Sequence, residues 1–246
     1  MEITICPGHG KNGNPEIFEP IRIHPGEMLS VVGCTGSGKT RLIRDIEQLA
    51  DGDSVTARRI LLDGKAVPAA ERTERSRGLV AHLGQNMRFV LDTTVEDFIK
   101  LHAACRKKAV SAEEVLAAAN AIAQEEITLE SALARLSGGQ ARALMTADIA
   151  CICDSPVVLI DEIENAGVDK TKAFDLLCGS SKVIIAVTHD PHTALMANRR
   201  IVLEGGAVIR IAERTAGEEA LYRELTCEYE RGQRLRTLLR KGSLLA

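Results

Sequence analysis

The sequence has 246 residues, 45% of them hydrophobic and 26% charged, with a net charge of −3. This length accommodates one large domain, or a domain with a subdomain, around a buried core, and the balance excludes a disordered chain. The charge excludes a strongly basic nucleic-acid face, apolar runs such as PVVLI and KVIIAV are strand-sized rather than membrane-spanning, and MEITICPGHGK lacks a secretory leader pattern. The expected setting is the cytoplasm, with any attachment to a membrane made through a partner. Seven cysteines (Cys6, Cys34, Cys105, Cys151, Cys153, Cys178 and Cys227) are odd in number and scattered, which argues against a disulfide framework. Cys151 and Cys153 have no further ligands at metal-binding spacing and are expected to be buried, reduced thiols.

In chain order, EMLSVVG reads as a strand entering a glycine-rich loop, and KTRLIRDIEQLA as the helix that follows. DGDS closes that unit, RRILLDG is a short strand with a turn, and SRGLVAHLGQN carries an apolar run ending near Gln85. A helical block extends from about Thr94 to Arg135, with helices over TVEDFIKLHAA and SAEEVLAAANAIAQ, the second opened by a capping box from Ser111 to Glu114. PVVLIDE and KVIIAVTHD are core strands, and RRIVLEGGAVIRI is a hairpin. A last helix starts at a second capping box, Thr215 to Glu218; Leu221, Leu225 and Tyr229 recur every fourth residue and are expected to pack on the core. Alternating strands and helices predict an α/β fold with a mostly parallel sheet flanked by helices. The expected division is a core of residues 1–87 and 137–213, an inserted helical subdomain over 88–136, and a C-terminal helix over 214–246.

GCTGSGKT, Gly33–Thr40, matches the phosphate-loop pattern G-x-x-x-x-G-K-[ST] between a strand and a helix. Gly33, Cys34, Thr35, Gly36, Ser37 and Gly38 form the loop. Its glycines let backbone amides turn inward around phosphates where side chains would clash. Lys39 is placed to reach the β and γ phosphates of a nucleotide, and Thr40 to hold Mg²⁺ through its hydroxyl. Asp161 closes PVVLID at a strand's C-terminal end, where it suits a water-mediated contact to Mg²⁺, and Glu162 can orient or deprotonate an attacking water. Ser137-Gly138-Gly139-Gln140 precedes a helix and offers backbone amides to an anion, yet no lysine stands beside it.

GCTGSGKT, LSGGQ at 136–140, VVLIDE at 157–162 and VTHD at 187–190 stand in the order found in ATP-binding-cassette (ABC) ATPases, which the chain resembles over roughly residues 20–210. The resemblance implies an ATPase that binds ATP and Mg²⁺ in a head-to-tail dimer. It implies that Ser137, Gly138, Gly139 and Gln140 contact the γ-phosphate of ATP bound by the opposite subunit, whose Lys39 is the missing cation. It assigns His189 as the switch histidine on the γ-phosphate, and Gln85 as a contact to Mg²⁺ and the attacking water. Residues 86–94 would pass movement between the nucleotide and a partner.

Two departures from the family pattern stand out. Where most cassettes read DEPT this chain reads DEIENAGVD, so Ile163 and Glu164 replace the Pro-Thr pair and Asp169 falls one residue further on. The stretch upstream of the phosphate loop, CPGHGKNGNPEIF, offers only Phe18 where an adenine-stacking aromatic is expected, and His9 lies nearer that place. Weak adenine preference is the expected consequence. The first functional reading is the nucleotide-binding subunit of a membrane transporter, paired with a second cassette and a membrane-spanning subunit. The alternative is a soluble ABC ATPase that remodels a protein or a metallocofactor enzyme, towards which the two departures lean. A chromosome-type cassette would need a long coiled coil that this helical block is too short to hold.

Overall fold

The computed structural model describes residues 1–84, 87–165 and 167–242. Strands β1 (Ile3–Cys6), β2 (Ile21–Ile23) and β3 (Met28–Val32) precede helix α1 (Lys39–Glu47). Next come β4 (Arg59–Leu62), β5 (Lys65–Ala66), α2 (Ala69–Leu79) and β6 (Val80–Leu83). The helices α3 (Val95–Arg106) and α4 (Ala112–Ile122) follow, and then α5 (Gly138–Cys151). The chain continues with β7 (Val157–Asp161), α6 (Lys170–Gly179), β8 (Val183–Val187), α7 (Pro191–Met196), β9 (Arg199–Glu204), β10 (Ala207–Glu213) and α8 (Ala216–Arg240).

The larger sheet has the order β10-β9-β3-β8-β7-β6 and is parallel except for the β9–β10 hairpin. Its central strands are apolar on both faces because both faces are covered. Val158, Ile160, Ile184 and Ala186 point into one cluster with α3, α4 and α5, whereas Val157, Leu159, Val183, Ile185 and Val187 point into a second with α1. Beneath α1 lies a separate antiparallel sheet, ordered β2-β1-β4-β5. Thus RRILLDG is a strand as expected, but it belongs to this smaller sheet, and α2 fills a stretch that carries no helical expectation.

The helix starts follow their capping chemistry. Ser111 and Glu114 exchange both capping-box bonds, and so do Thr215 and Glu218. Helix α8, however, has no fully buried residue, and Leu221 is exposed. The stripe expected at Leu221, Leu225 and Tyr229 is therefore corrected to one centred on aromatic rings. His192 of α7 stacks on Tyr222, lies 5.3 Å from the Tyr229 ring, and is within 3.0 Å of the Thr226 hydroxyl. The cysteines also need correction. All seven are free, but none is fully buried: Cys151 and Cys153 are half-covered at the edge of the first cluster, and Cys34, Cys105 and Cys227 are exposed.

A buried ionic cluster fixes α1 to the segment before β2. Arg58, fully buried, donates from Nε and Nη2 to the Glu16 carboxylate at 2.9 and 2.6 Å, and its Nη1 reaches Asp45 of α1 at 3.4 Å. Glu16 also accepts from the amides of Gly8 (2.9 Å) and Val208 (2.5 Å). Burial pushes the Glu16 carboxyl up, but these donors outweigh it and hold the group below the usual carboxylate range. Gly8 is required here, since a Cβ would lie 2.1 Å from the Thr56 carbonyl oxygen.

Candidate nucleotide-binding site

In the parallel register Val31 of β3 lies opposite Val187 of β8, and Val187 opposite Asp161 of β7. Three strands therefore end side by side, and the segments leaving them (33–38, 162–164 and 188–190) share one edge. The C-terminal edge of a parallel sheet is where α/β folds bind ligands.

The first segment is bent by its glycines. Gly33, Gly36 and Gly38 have φ of 152°, 79° and 108°, and a Cβ on Gly38 would stand 2.9 Å from the Gly206 Cα. Lys39, at the start of α1, folds back over the loop and donates to the carbonyls of Gly33 (2.6 Å) and Cys34 (3.1 Å). Cys34, Thr35, Gly36 and Thr40 are exposed at the mouth, while Ser37 is buried. A glycine-bent loop with a lysine folded over it offers backbone amides and a cation, the chemistry that recognises a phosphate.

Asp161 and Glu162 stand at the end of β7. Burial, and then the Glu162 charge, raise the Asp161 carboxyl above its usual range, with His82, Arg142 and Lys39 pulling the other way. A divalent cation at this pair would relieve the repulsion, so the donors present (Asp161 carboxylate, Thr40 hydroxyl) fit Mg²⁺. Glu162 has φ 49°, an uncommon value for a side-chain-bearing residue, and its amide donates to the Val187 carbonyl at 3.0 Å. That turn brings its carboxylate 3.3 Å from His189 Nε2. Asp161, Glu162, His189 and Lys39 are accordingly gathered at one edge, whereas Gln85 lies outside the described residues.

Ser137–Gln140 are not part of this gathering. Ser137 caps α5, accepting from the Gln140 amide and also donating to Glu125 at 3.2 Å, and the Gln140 side chain returns to the Ser137 amide and donates to the Glu126 carbonyl. Ser137 and Gly138 are exposed, and among the described residues no hydrogen bond or ion pair joins them to Gly33–Thr40. Asp169 caps α6 through the Lys172 amide and accepts from the Tyr229 hydroxyl of α8 at 3.5 Å.

Three residues at the site escape the sequence reading. Lys11 donates to the Gly36 carbonyl at 2.7 Å, and its stem packs on Gly206, where a Cβ would meet Lys11 Cγ at 2.7 Å. It stands two residues beyond His9, near where an adenine-stacking aromatic is expected; His9 itself is exposed, and Phe18 is turned towards the second core cluster. Arg142, one turn into α5, is buried and donates to the carbonyls of Gly84 (2.6 Å) and Asp161 (2.7 Å). Glu164 accepts from the Thr188 hydroxyl at 2.6 Å. Only the unusual Ile163-Glu164 pair carried a signal in the sequence.

Comparison with known proteins agrees with this geometry. The family model described as "ABC transporter" matches residues 20–165. An uncharacterised ABC transporter ATP-binding protein of Methanocaldococcus jannaschii is 48% identical over 226 residues, covering 91% of this chain and 87% of that protein. The macrolide export ATP-binding/permease protein MacB of Shigella flexneri is 28% identical over 201 residues, 77% of this chain, which spans 30% of that longer protein. Among solved structures, the cbiO1 protein of Clostridium perfringens aligns with a TM-score of 0.65 at 19% identity, covering 97% of this chain and 98% of the other. An ATP-binding subunit of an ABC transporter aligns at 0.64 with 19% identity, covering 87% and 90%. These two show the shared fold.

Proposed function

The chain belongs to the ABC transporter family of ATP-hydrolysing cassettes, and from that premise we propose that it is the nucleotide-binding subunit of a membrane transporter. The observation that carries the proposal is the convergence of Gly33–Thr40, Asp161, Glu162 and His189 on one sheet edge, in a chain of that family. In this reading the loop amides and Lys39 hold the β and γ phosphates of ATP. Thr40, Asp161 and Gln85 would hold Mg²⁺, which would supply positive charge beside the transferring phosphoryl group. Glu162 orients water and takes its proton as the oxygen attacks phosphorus in line with the departing ADP oxygen, and His189 donates to the γ-phosphate. Ser137, Gly138, Gly139 and Gln140 complete the site of a second subunit in a head-to-tail dimer.

Among the described residues no helix is long and apolar enough to cross a membrane, so the membrane-crossing part would come from elsewhere. Met87, Val90 and Leu91 before α3, and Leu101 within it, are exposed apolar side chains. They offer a docking surface for a membrane-spanning partner at the cytoplasmic face.

The test is Glu162→Gln, which should bind ATP and hydrolyse it slowly. ATP with Mg²⁺ should convert it from monomer to dimer by light scattering while ADP does not, and the dimer should copurify with a polytopic membrane protein from gently solubilised cells. A monomer in ATP would refute the dimer. A soluble enzyme in place of the membrane protein would make the chain an ATP-driven remodeller.

A further inference from the structure

We propose that Glu164 is a positioning residue for His189, joining the loop after β7 and the switch histidine into one unit. The proposal takes the role of His189 from the ATPase reading above, but how that residue is held stands on geometry alone.

Glu164 follows Ile163, which is 1% exposed and anchors a 3₁₀ turn (Ile163–Asn165) in the first core cluster. From that anchor its Oε1 accepts two bonds, from the Thr188 hydroxyl at 2.6 Å and from the His189 amide at 3.3 Å. Thr188 is itself fully buried; its amide donates to Val31 of β3, and its hydroxyl accepts from the Asp190 amide at 3.0 Å. The 188–190 turn is therefore held by β3 on one side and by a carboxylate from another loop on the other. Glu164 Oε2 is buried without a hydrogen-bond partner among the described residues. The buried Arg142 guanidinium lies within electrostatic reach of Asp161 and, more weakly, of Glu164.

The His189 side chain is 44% exposed, so little packing fixes the ring. Its orientation towards Glu162 rests on the backbone of the 188–190 turn, where Glu164 holds the His189 amide itself. A neutral residue without an acceptor at position 164 would leave the His189 amide unpaired and free the turn. A shift of the loop after β7 carries the carboxylate with it, and so moves the histidine within the same chain. This gives the replacement of Pro-Thr by Ile-Glu a physical purpose: Ile163 seats the turn, and Glu164 reaches across.

The test compares Glu164→Ala, Glu164→Gln, Glu164→Asp, His189→Ala and the double variant Glu164→Ala/His189→Ala in the full chain. The first readout is the set of His189 and Asp190 amide resonances in nucleotide-free protein; the second is kcat and KM for ATP hydrolysis. Glu164→Ala should move both resonances and lower kcat at least about tenfold, with KM within about twofold, the signature of misplaced transition-state contacts. Gln keeps an acceptor oxygen and should recover most of the rate; Asp keeps the charge but not the reach and should not. Should Ala fail to fold, the Asp and Gln pair carries the same contrast. Added to His189→Ala, Glu164→Ala should cost less than about twofold, because the two residues act as one. Equal losses in both backgrounds, unmoved resonances, a loss confined to KM, or a Gln variant as impaired as Ala would each overturn the proposal. A wild-type chain without ATPase activity would refute the functional reading instead, and the resonances would still decide this one.

Discussion

Replacing Glu16 by Gln tests the claim that the buried ionic cluster holds the phosphate-loop helix and the 8–16 segment together. Glu16 is 7% exposed, and each of its oxygens accepts twice: Oε1 from Arg58 Nη2 and the Val208 amide, Oε2 from Arg58 Nε and the Gly8 amide. Gln is nearly isosteric but has one acceptor oxygen and one NH₂ group. Whichever way the amide turns, its NH₂ faces two donors. The cluster also loses its charge balance, since Arg58 and Arg41 then face Asp45 alone. Breaking a buried pair in this way costs about 3–5 kcal/mol. In a chain of this size about 3 kcal/mol lowers Tm by roughly 6–12 °C.

Urea unfolding should show a lower midpoint with an unchanged slope. The pH dependence has a definite sign. Because the folded Glu16 carboxyl sits below its unfolded value, its stabilisation is present above the ordinary carboxylate pKa and is lost as pH falls through the folded value. The gap between wild type and Glu16→Gln should therefore be widest near neutrality and narrow in acid. A loss below about 1 kcal/mol, the value of an exposed pair, would refute the reasoning, as would a gap that does not change with pH.

Gly38→Ala should fold but bind inorganic triphosphate at least about tenfold more weakly by calorimetry, because φ 108° and the 2.9 Å approach to Gly206 leave a Cβ no place without moving the loop. Glu218→Gln should lower Tm near neutral pH through a loss of about 1 kcal/mol from the capping box and the Arg200 pair. The Arg200 hydrogen bond brings the Glu218 carboxyl down to about 2, so that loss should be full above the unfolded pKa and vanish as pH approaches about 2. ATP and GTP should bind within about fivefold of each other, since aromatic stacking on a base is worth ~1–3 kcal/mol and the exposed 9–15 segment carries no aromatic residue. A strong preference for ATP would show that another group reads the base.

What could be read from the sequence was local. A glycine pattern between a strand and a helix, apolar runs ending in Asp161 and His189, and the capping boxes each involve a few neighbouring residues. The positions of these motifs at one sheet edge follow once the runs are paired in parallel. The smaller sheet was not legible because β1 and β2 have four and three residues, too few to show a period, and Ile3 finds its partner at Leu62. Lys11, Arg142 and Glu164 are single polar residues whose partners lie 25, 19 and 24 positions away, at Gly36, Asp161 and Thr188. Leu221 is exposed for a related reason. A four-residue repeat marks a stripe on α8, but it does not say which stripe meets the neighbour; that was set by His192 and the tyrosines.

The helix α5 shows why nucleotide and partner signals should meet in this chain. Its first turn presents Ser137 and Gly138 outward, beside Glu125 rather than any lysine, so an anion there needs a cation from outside. The loop at Gly33–Thr40 has that cation and an open outer face. In the proposed dimer each chain would carry two unlike halves of a site, and a two-fold pairing of identical chains would join both halves twice. One turn beyond Gly138, Arg142 donates to the carbonyls at the ends of β6 and β7, next to Gln85 and Glu162. In the proposed dimer a single helix therefore touches the opposite subunit's phosphate at its start and its own hydrolytic strand a turn later. Closure on ATP would load the Asp161 end of β7 through Arg142, while Glu164 ties the residues just beyond it to His189. Both routes run through backbone carbonyls and amides, which is why they depend on the fold rather than on any motif.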